Sequence, residues 1–111
     1  MKLLDIWINC PDAETADRIA ASLLEQRLIA CANRHAMVQS QYEWDGQIVS
    51  EPETPLLVKT RSDLFEAVRA AVEWLHPYEI PAIVGIEAAY VNTAYLDWVA
   101  NVTIPVQVSS T

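Results

Sequence analysis

The sequence has few of the residues that build common ligand sites. Its 111 residues include two cysteines, two histidines, two glycines and one phenylalanine. The two cysteines do not form a CxxC pair, and two histidines cannot make a three-histidine metal site within one chain. No glycine-rich phosphate loop, HExxH motif or Ser-His-Asp spacing is present. We therefore expect a protein that is not an enzyme.

Positive charge is also scarce. Seven lysines and arginines face 15 aspartates and glutamates, for a formal net charge of −8. A surface for nucleic acid needs clustered cations, whereas here the cations are scattered and none follows Arg69. We expect no nucleic-acid partner, and divalent cations are better electrostatic candidates.

No apolar run is long enough to span a bilayer. The longest charge-free segment, residues 98–111, has 14 residues, short of the roughly 20 apolar residues that a spanning helix needs. Asp5 interrupts the N-terminal apolar run, so we expect no secretory signal. These features predict no membrane insertion, a cytoplasmic location and two free thiols, Cys10 and Cys31.

What the sequence does contain is a single domain over residues 1–111, with a tail at 103–111 of uncertain structure. Periodicity predicts strands at 3–8, 28–32, 38–44, 56–60 and 82–86, with 104–108 as a short terminal strand or loose tail. It predicts helices at 12–26 and 62–75, capped by Asp12 and Ser62, and a last short helix capped by Asn92. The order is typical of an α+β, ferredoxin-like βαββαβ fold: an antiparallel sheet with helices on one face, here with an extra C-terminal helix.

A long hairpin stands out within this order. Asp45-Gly46 is a strong signal for a two-residue turn, which pairs Trp44 with Gln47. Because proline cannot donate to a sheet ladder, Pro52 and Pro55 predict a bulge or an edge in the returning strand.

The hairpin is also longer than a four-stranded sheet of this size needs. It covers residues 37–58, and Tyr42 and Trp44 lie near its tip. An exposed strand edge favours pairing with another chain. We therefore predict a homo-oligomer formed through the hairpin, with Trp44 packed against a neighbouring subunit.

A rigid loop between two prolines carries the candidate chemistry. His76, Tyr78 and Glu79 lie within four positions, and an imidazole or a carboxylate can bind a metal or transfer a proton. The structural alternative is that His76 ends a helix, Tyr78 packs and Glu79 is solvated. An acid–base enzyme built on His76 and Glu79 lacks a visible nucleophile.

Three further residues have alternatives of the same kind. Cys10 can bind a soft metal as a thiolate or serve as a small hydrophobic residue. Lys59 and Arg61 end a strand before a helix, a common place for anion binding, or they simply point into solvent.

Taken together, these segments resemble the CutA divalent-cation tolerance proteins. The resemblance runs from about Ile6 to Val102 and rests on the following motifs: Ala30-Cys31-Ala32-Asn33, Tyr42-x-Trp44-x-Gly46, Leu57-Val58-Lys59-Thr60-Arg61, His76-Pro77-Tyr78-Glu79-Ile80-Pro81 and Tyr95-Leu96-x-Trp98. It implies a homotrimer similar in shape to the PII signalling proteins, a cytosolic location and a response to metal ions, copper among them.

The resemblance also implies roles for particular residues. His76 matches one proposed copper ligand of the family, whereas Leu75 and Ile8 stand where some members have a second histidine and a cysteine. Cys10 and Glu79 are further candidate ligands, no cofactor is required, and copper binding is expected to be weaker than in members with all three ligands. The alternative is a PII-like sensor that binds a small anion or metabolite between subunits, in a cleft with four candidate residues: Lys59, Arg61, Tyr78 and Trp44.

Overall fold

The computed structural model describes residues 1–105, in which strands and helices follow one another as the sequence predicts. The strands are β1 (Leu3–Cys10), β2 (Cys31–Arg34), β3 (Val38–Trp44), β4 (Gln47–Arg61) and β5 (Ile83–Glu87). The helices are α1 (Ala13–Glu25), α2 (Phe65–Leu75), which a 3-10 turn at Ser62–Leu64 precedes, and α3 (Thr93–Val102). Most of the segment predicted at 104–108 lies outside the described residues.

The sheet is antiparallel throughout, and the fold is mixed α+β. Its strand order is β2-β4-β1-β5, and β3 pairs with β4 beyond this path. The 15-residue strand β4 serves two sets of partners: its first half pairs with β3 in the hairpin, and its second half pairs with β1 and β2 in the sheet. The hairpin is therefore a direct extension of a central strand.

The core lies between one face of this sheet and the helices α1 and α2. Side chains alternate along a strand, so the even-numbered residues of β1 and β4 point to the helices. The fully buried members of this core include the following residues: Ile6, Ile8, Cys10, Ile19, Leu23, Leu56, Val58, Val68 and Val72. Full burial of one such aliphatic side chain stabilises the fold by roughly 1.5–3 kcal/mol.

The predicted caps and turn have different outcomes. Asp12 caps α1 as predicted, since its Oδ1 accepts a hydrogen bond from the Thr15 N–H at 2.8 Å. Asp45 and Gly46 have φ of 53° and 79°, and Trp44 pairs with Gln47, which confirms the predicted turn. Ser62 lies inside the 3-10 turn, and neither α2 nor α3 has a side-chain cap hydrogen bond.

Of the two alternatives for the prolines of β4, the bulge is wrong, because the strand runs unbroken from Gln47 to Arg61, and the edge is confirmed at Pro52. At Pro52 only β3 pairs with β4, so one side of the strand is open. At Pro55 the carbonyl accepts a hydrogen bond from the His35 N–H at 2.9 Å, in the gap between β2 and β3. The nitrogen of a strand residue points to the same side as its carbonyl, so the missing N–H of Pro55 faces this gap, just beyond the end of β2, and leaves the pairing with β1 intact.

Two predicted strands are also corrected. The second begins only at Cys31, because Leu28 still belongs to the turn after α1, where its N–H donates to the Leu23 carbonyl at 3.0 Å. The strand predicted as buried at 82–86 is the edge strand β5, which pairs only with β1 in the described part of the chain. Val84 and Ile86 are therefore about half exposed.

Candidate functional site

His76 lies where α2 ends and is almost fully buried. The helix ends because Pro77 disfavours helical backbone at the residue before it, and His76 has extended φ and ψ of −80° and 136°. Its Nε2 lies 2.7 Å from the carbonyl oxygen of Asn9, and its Nδ1 accepts a hydrogen bond from the Tyr78 N–H at 3.1 Å. Because a carbonyl can only accept, Nε2 carries the proton.

This arrangement leaves His76 without a free lone pair. A metal needs an unprotonated ring nitrogen, yet Nδ1 accepts from Tyr78 and Nε2 donates to Asn9. The imidazole also packs against the Tyr78 ring, with centroids 4.7 Å apart. In a single chain, His76 therefore ties the end of α2 to β1 and to its own loop.

The other two predicted ligands lie in different environments. Cys10 is fully buried on the helix-facing side of β1, and burial, with lesser effects from the charges of Asp12 and Glu53, raises the pKa of its thiol to about 11. Glu79 is exposed. Within residues 1–105, no three His, Cys, Asp or Glu side chains are grouped to hold a metal. The three residues do not fit a metal site in one chain.

A cleft of about 380 Å³ opens between the hairpin and the loop after α2. Two phenol–carboxylate hydrogen bonds organise it. The Tyr78 hydroxyl donates to Glu53 Oε2 at 3.1 Å, which ties the loop to the hairpin, and the Tyr42 hydroxyl donates to Glu51 Oε2 at 2.8 Å within the hairpin. Trp44 adds a third aromatic wall.

Both phenols of the cleft are held in the neutral form. The pKa of Tyr78 is raised well above its usual value by burial and by the hydrogen bond to Glu53. The pKa of Tyr42 is raised mainly by its hydrogen bond to Glu51. At neutral pH both hydroxyls are therefore donors, and the carboxylates of the cleft are acceptors.

The predicted cleft residues separate into two groups. Tyr78 and Trp44 do line one cleft, but Lys59 and Arg61 lie elsewhere. The Lys59 ammonium pairs with Asp5 at 3.0 Å. Arg61 is 1% exposed, so the alternative that it simply points into solvent is wrong.

Arg61 instead fastens the segment after α3 to the sheet. Its guanidinium donates to both carboxylate oxygens of Asp63 at 3.0 Å and to Thr103 Oγ1 at 2.9 Å, and it also bonds the Ile104 carbonyl. The hydrogen bonds from Arg61 lower the pKa of the Asp63 carboxyl.

Sequence reasoning did not single out Glu51 and Glu53. A usable signal was present, because residues two apart on a strand share a face. The hairpin register places Glu51 diagonally across from Tyr42, through the pair Tyr42–Val49. What the register does not show is that the loop after α2 folds back onto Glu53.

Residues 4–102 match the family model described as "CutA1 divalent ion tolerance protein". The chain belongs to the CutA1 family. The resemblance inferred from the sequence motifs is thereby confirmed.

Individual relatives agree with this assignment. The divalent-cation tolerance protein CutA of Pyrococcus horikoshii is 38% identical, over 91% of this chain and 98% of the relative. Protein CutA of Mus musculus is 36% identical over 95% of this chain, which spans only 59% of that longer relative. The structure of the periplasmic divalent cation tolerance protein CutA from Archaeoglobus fulgidus superposes with a TM-score of 0.87 at 37% identity, covering 90% of this chain and 97% of that one.

The helices are short. No helix within residues 1–105 has the length and apolar character to cross a bilayer.

Proposed function

We propose that the chain assembles as a homotrimer and acts as a divalent-cation tolerance protein, by binding and not by catalysis. Membership of the CutA1 family over residues 4–102 carries this proposal. The strand order β2-β4-β1-β5, with β4 and β1 central, supports a ferredoxin-like topology with an added hairpin.

The shape of a single chain supports assembly. Its radius of gyration is 15.1 Å, larger than the roughly 13 Å typical of a compact chain of this length, because the hairpin projects from the sheet. Apolar side chains on the hairpin and on β5 remain exposed, including Trp44 at 48%, Ile48 at 79% and Ile86 at 54%. Open strand edges and exposed apolar surface together favour pairing with further copies.

The internal contacts of His76 bear on how a metal would bind. Coordination by Nε2 requires loss of its proton and of its contact with Asn9. One imidazole is a weak site, so further ligands have to come from Glu79 or from a neighbouring subunit. Copper is the natural test ion because it leads the Irving–Williams order among divalent ions, and we expect weak, pH-dependent binding.

A PII-like sensor for a small anion is the second candidate. It would rest on Lys59 and Arg61, and their internal bonds to Asp5, Asp63 and Thr103 count against it. The exposed strand edges do not distinguish the two candidates, because both would be assemblies of several copies.

Light scattering and calorimetry test the proposal. We expect a mass three times the 12.4 kDa of the chain, heat on titration with Cu²⁺, and none with nucleotides. A stable monomer would contradict the assembly, and nucleotide binding without copper binding would favour the PII-like alternative.

We also infer a cytoplasmic location from the two unpaired thiols, Cys10 and Cys31. Fractionation of cells that express the tagged chain tests this. Recovery in the periplasmic fraction would contradict it.

A further inference from the structure

The outer face of α2 is apolar, where a helix on the surface of a protein is normally polar. The inner face of the helix packs into the core through Val68 and Val72. A second stripe at helical spacing follows on the outer side, and it consists of Ala67, Ala70, Ala71 and Trp74. Trp74 is 88% exposed, more than any other tryptophan among the described residues. An exposed aromatic ring beside three alanines is typical of a contact surface.

A groove of about 640 Å³ runs beside this stripe, between α2 and the end of α1. The stripe forms one wall of the groove, and Ser22, Gln26 and Leu28 contribute to the other. None of the described residues that line it is charged, although charged residues make up 20% of the chain. The groove is therefore a neutral, mostly apolar patch on a strongly acidic protein.

The charges next to the stripe on α2 are largely balanced. Arg69 bonds to Glu66 at 3.0 Å and also to Glu73, so these three side chains carry one net negative charge. The whole chain has a formal net charge of −8, and two copies therefore repel each other over most of their surfaces. The stripe and its groove are a place where two copies can approach with little repulsion.

The stripe also fits a second copy of itself. When two α2 helices pack antiparallel about a two-fold axis between Ala70 and Ala71, Trp74 of each copy lies over Ala67 of the other. These two positions are seven residues apart, about 10 Å along the helix, so the two indole rings do not collide. The alanines between them allow the helices to approach closely, because the distance between packed helices depends on the side chains at the contact. A projecting ring and the space for it on the same helix are what a self-complementary, two-fold contact requires.

We propose that the outer face of α2 is a two-fold interface between copies of this chain. It is separate from the hairpin and from the edge of β5, because these belong to the sheet and the groove lies between the helices on the other side of the core. The contact therefore joins two assemblies and goes beyond the proposed homotrimer. Two tryptophans bury roughly 300–500 Å², whereas a stable interface buries about 1,200 Å² or more. The contact is thus weak and forms in concentrated solution only.

Sedimentation velocity of the full-length protein tests this interface, at chain concentrations from about 5 µM to about 1 mM. We expect the mass to rise towards twice its value in the dilute sample, with a midpoint on the order of 100 µM. A mass that stays constant over this range would overturn the proposal. Because the rise is measured relative to the dilute sample, the result does not depend on whether that sample is a trimer.

Ala70→Glu places a carboxylate from each copy at the two-fold axis, and it should weaken the association at least tenfold. Ala21→Glu is the matched control: Ala21 is an exposed alanine of α1 that does not line the groove, and the variant carries the same added charge. We expect the control to associate within threefold of wild type. If Ala70→Glu does not fold, Trp74→Ala provides the same comparison. Equal association of the variant and the control would overturn the proposal.

Oxidation of Trp74 by hydroxyl radicals, located by mass spectrometry, shows whether this face is the one that becomes covered. We expect Trp74 to be oxidised at least threefold more slowly in the concentrated sample than in the dilute one, with Trp98 on α3 as the internal reference. Slow oxidation at both concentrations would show that Trp74 is already covered without the second assembly, and would overturn the proposal. Fast oxidation at both, together with a rise in mass, would overturn it as well, because the copies would then associate through another face.

Discussion

The hydroxyl of Tyr78 donates to the carboxylate of Glu53, 25 positions earlier in the chain, at 3.1 Å. This contact holds the loop after α2 against the hairpin. The same loop carries His76, whose ring bonds to Asn9 on β1. The end of α2 is thus fixed at two points, one on the sheet and one on the hairpin.

Tyr78→Phe should destabilise the fold by about 1–2 kcal/mol, because it leaves the buried Glu53 carboxylate without its hydroxyl donor. Urea denaturation at matched protein concentration measures this change. Tyr42→Phe is the control, since it removes a similar hydrogen bond to Glu51 at an exposed position, and its effect should stay below about 0.5 kcal/mol. Equal losses in the two variants would contradict a special role for Tyr78.

Arg61→Met should destabilise the fold by about 2–3 kcal/mol, because it leaves the acceptors at Thr103 and Ile104 without their donor, whereas the half-exposed Asp63 can be hydrated. Thermal denaturation followed by circular dichroism measures the loss. Arg69→Met is the matched control: Arg69 pairs with Glu66 and Glu73 on the surface of α2, where ion pairs contribute at most about 1 kcal/mol. A small effect at Arg61 would show that its contacts are not formed in solution.

The raised pKa of the Cys10 thiol predicts that the folded chain loses stability at alkaline pH. Its pKa is raised from 9.0 to about 11 in the folded chain, so the unfolded state releases the proton first as pH rises. Stability is therefore full below pH 9 and falls between pH 9 and 11, by at most about 3 kcal/mol. Urea denaturation at pH 8 and pH 10.5 should show a smaller difference for Cys10→Ala than for wild type. An identical difference would show that other groups cause the loss.

Trp44→Ala should weaken assembly by about 2 kcal/mol per contact if Trp44 anchors a neighbouring subunit. Dilution followed by mass photometry or analytical ultracentrifugation measures the dissociation. Trp74→Ala serves as the control, because Trp74 is 88% exposed on α2, away from the hairpin. If the two variants dissociate alike, Trp44 is not an interface anchor.

His76→Ala should abolish specific copper binding while the oligomeric mass stays unchanged. Copper affinity in wild type should rise with pH, because a metal competes with the ring proton. Glu79→Ala is the companion variant and should reduce the affinity only in part. If the His76→Ala variant binds copper as tightly as wild type, the metal binds somewhere other than His76.

The local signals in the sequence predicted the order of elements well, and the hairpin shows why. Asp45 and Gly46 set the turn by themselves, since a two-residue turn needs positive φ at both positions, and the turn then fixed the pairing down to Val38–Glu53. The sequence left a bulge and an edge both open at the prolines of β4, because the choice depends on which sides of the strand are paired, and that is a property of the whole sheet.

The candidate site depended more on contacts between distant segments. Arg61 is buried by Thr103 and Ile104, 42 and 43 positions later, so no local pattern distinguishes it from a solvent-facing cation. His76 was found from its motif, but the two hydrogen bonds that occupy its ring involve Asn9, 67 positions away, and the Tyr78 backbone. Motifs located the loop, and only the tertiary structure showed what the loop does.

Because β4 belongs to both the hairpin and the sheet, it couples the two mechanically. Fifteen residues in one unbroken strand span about 45 Å, with no glycine or bulge to act as a hinge between the tip of the hairpin and the buried half of the strand. A force or a binding partner at Trp44 therefore acts on the register of Leu56 and Val58 in the core. The hairpin and the sheet should exchange their amide hydrogens as one cooperative unit, and a subunit that binds the tip would stiffen the whole chain.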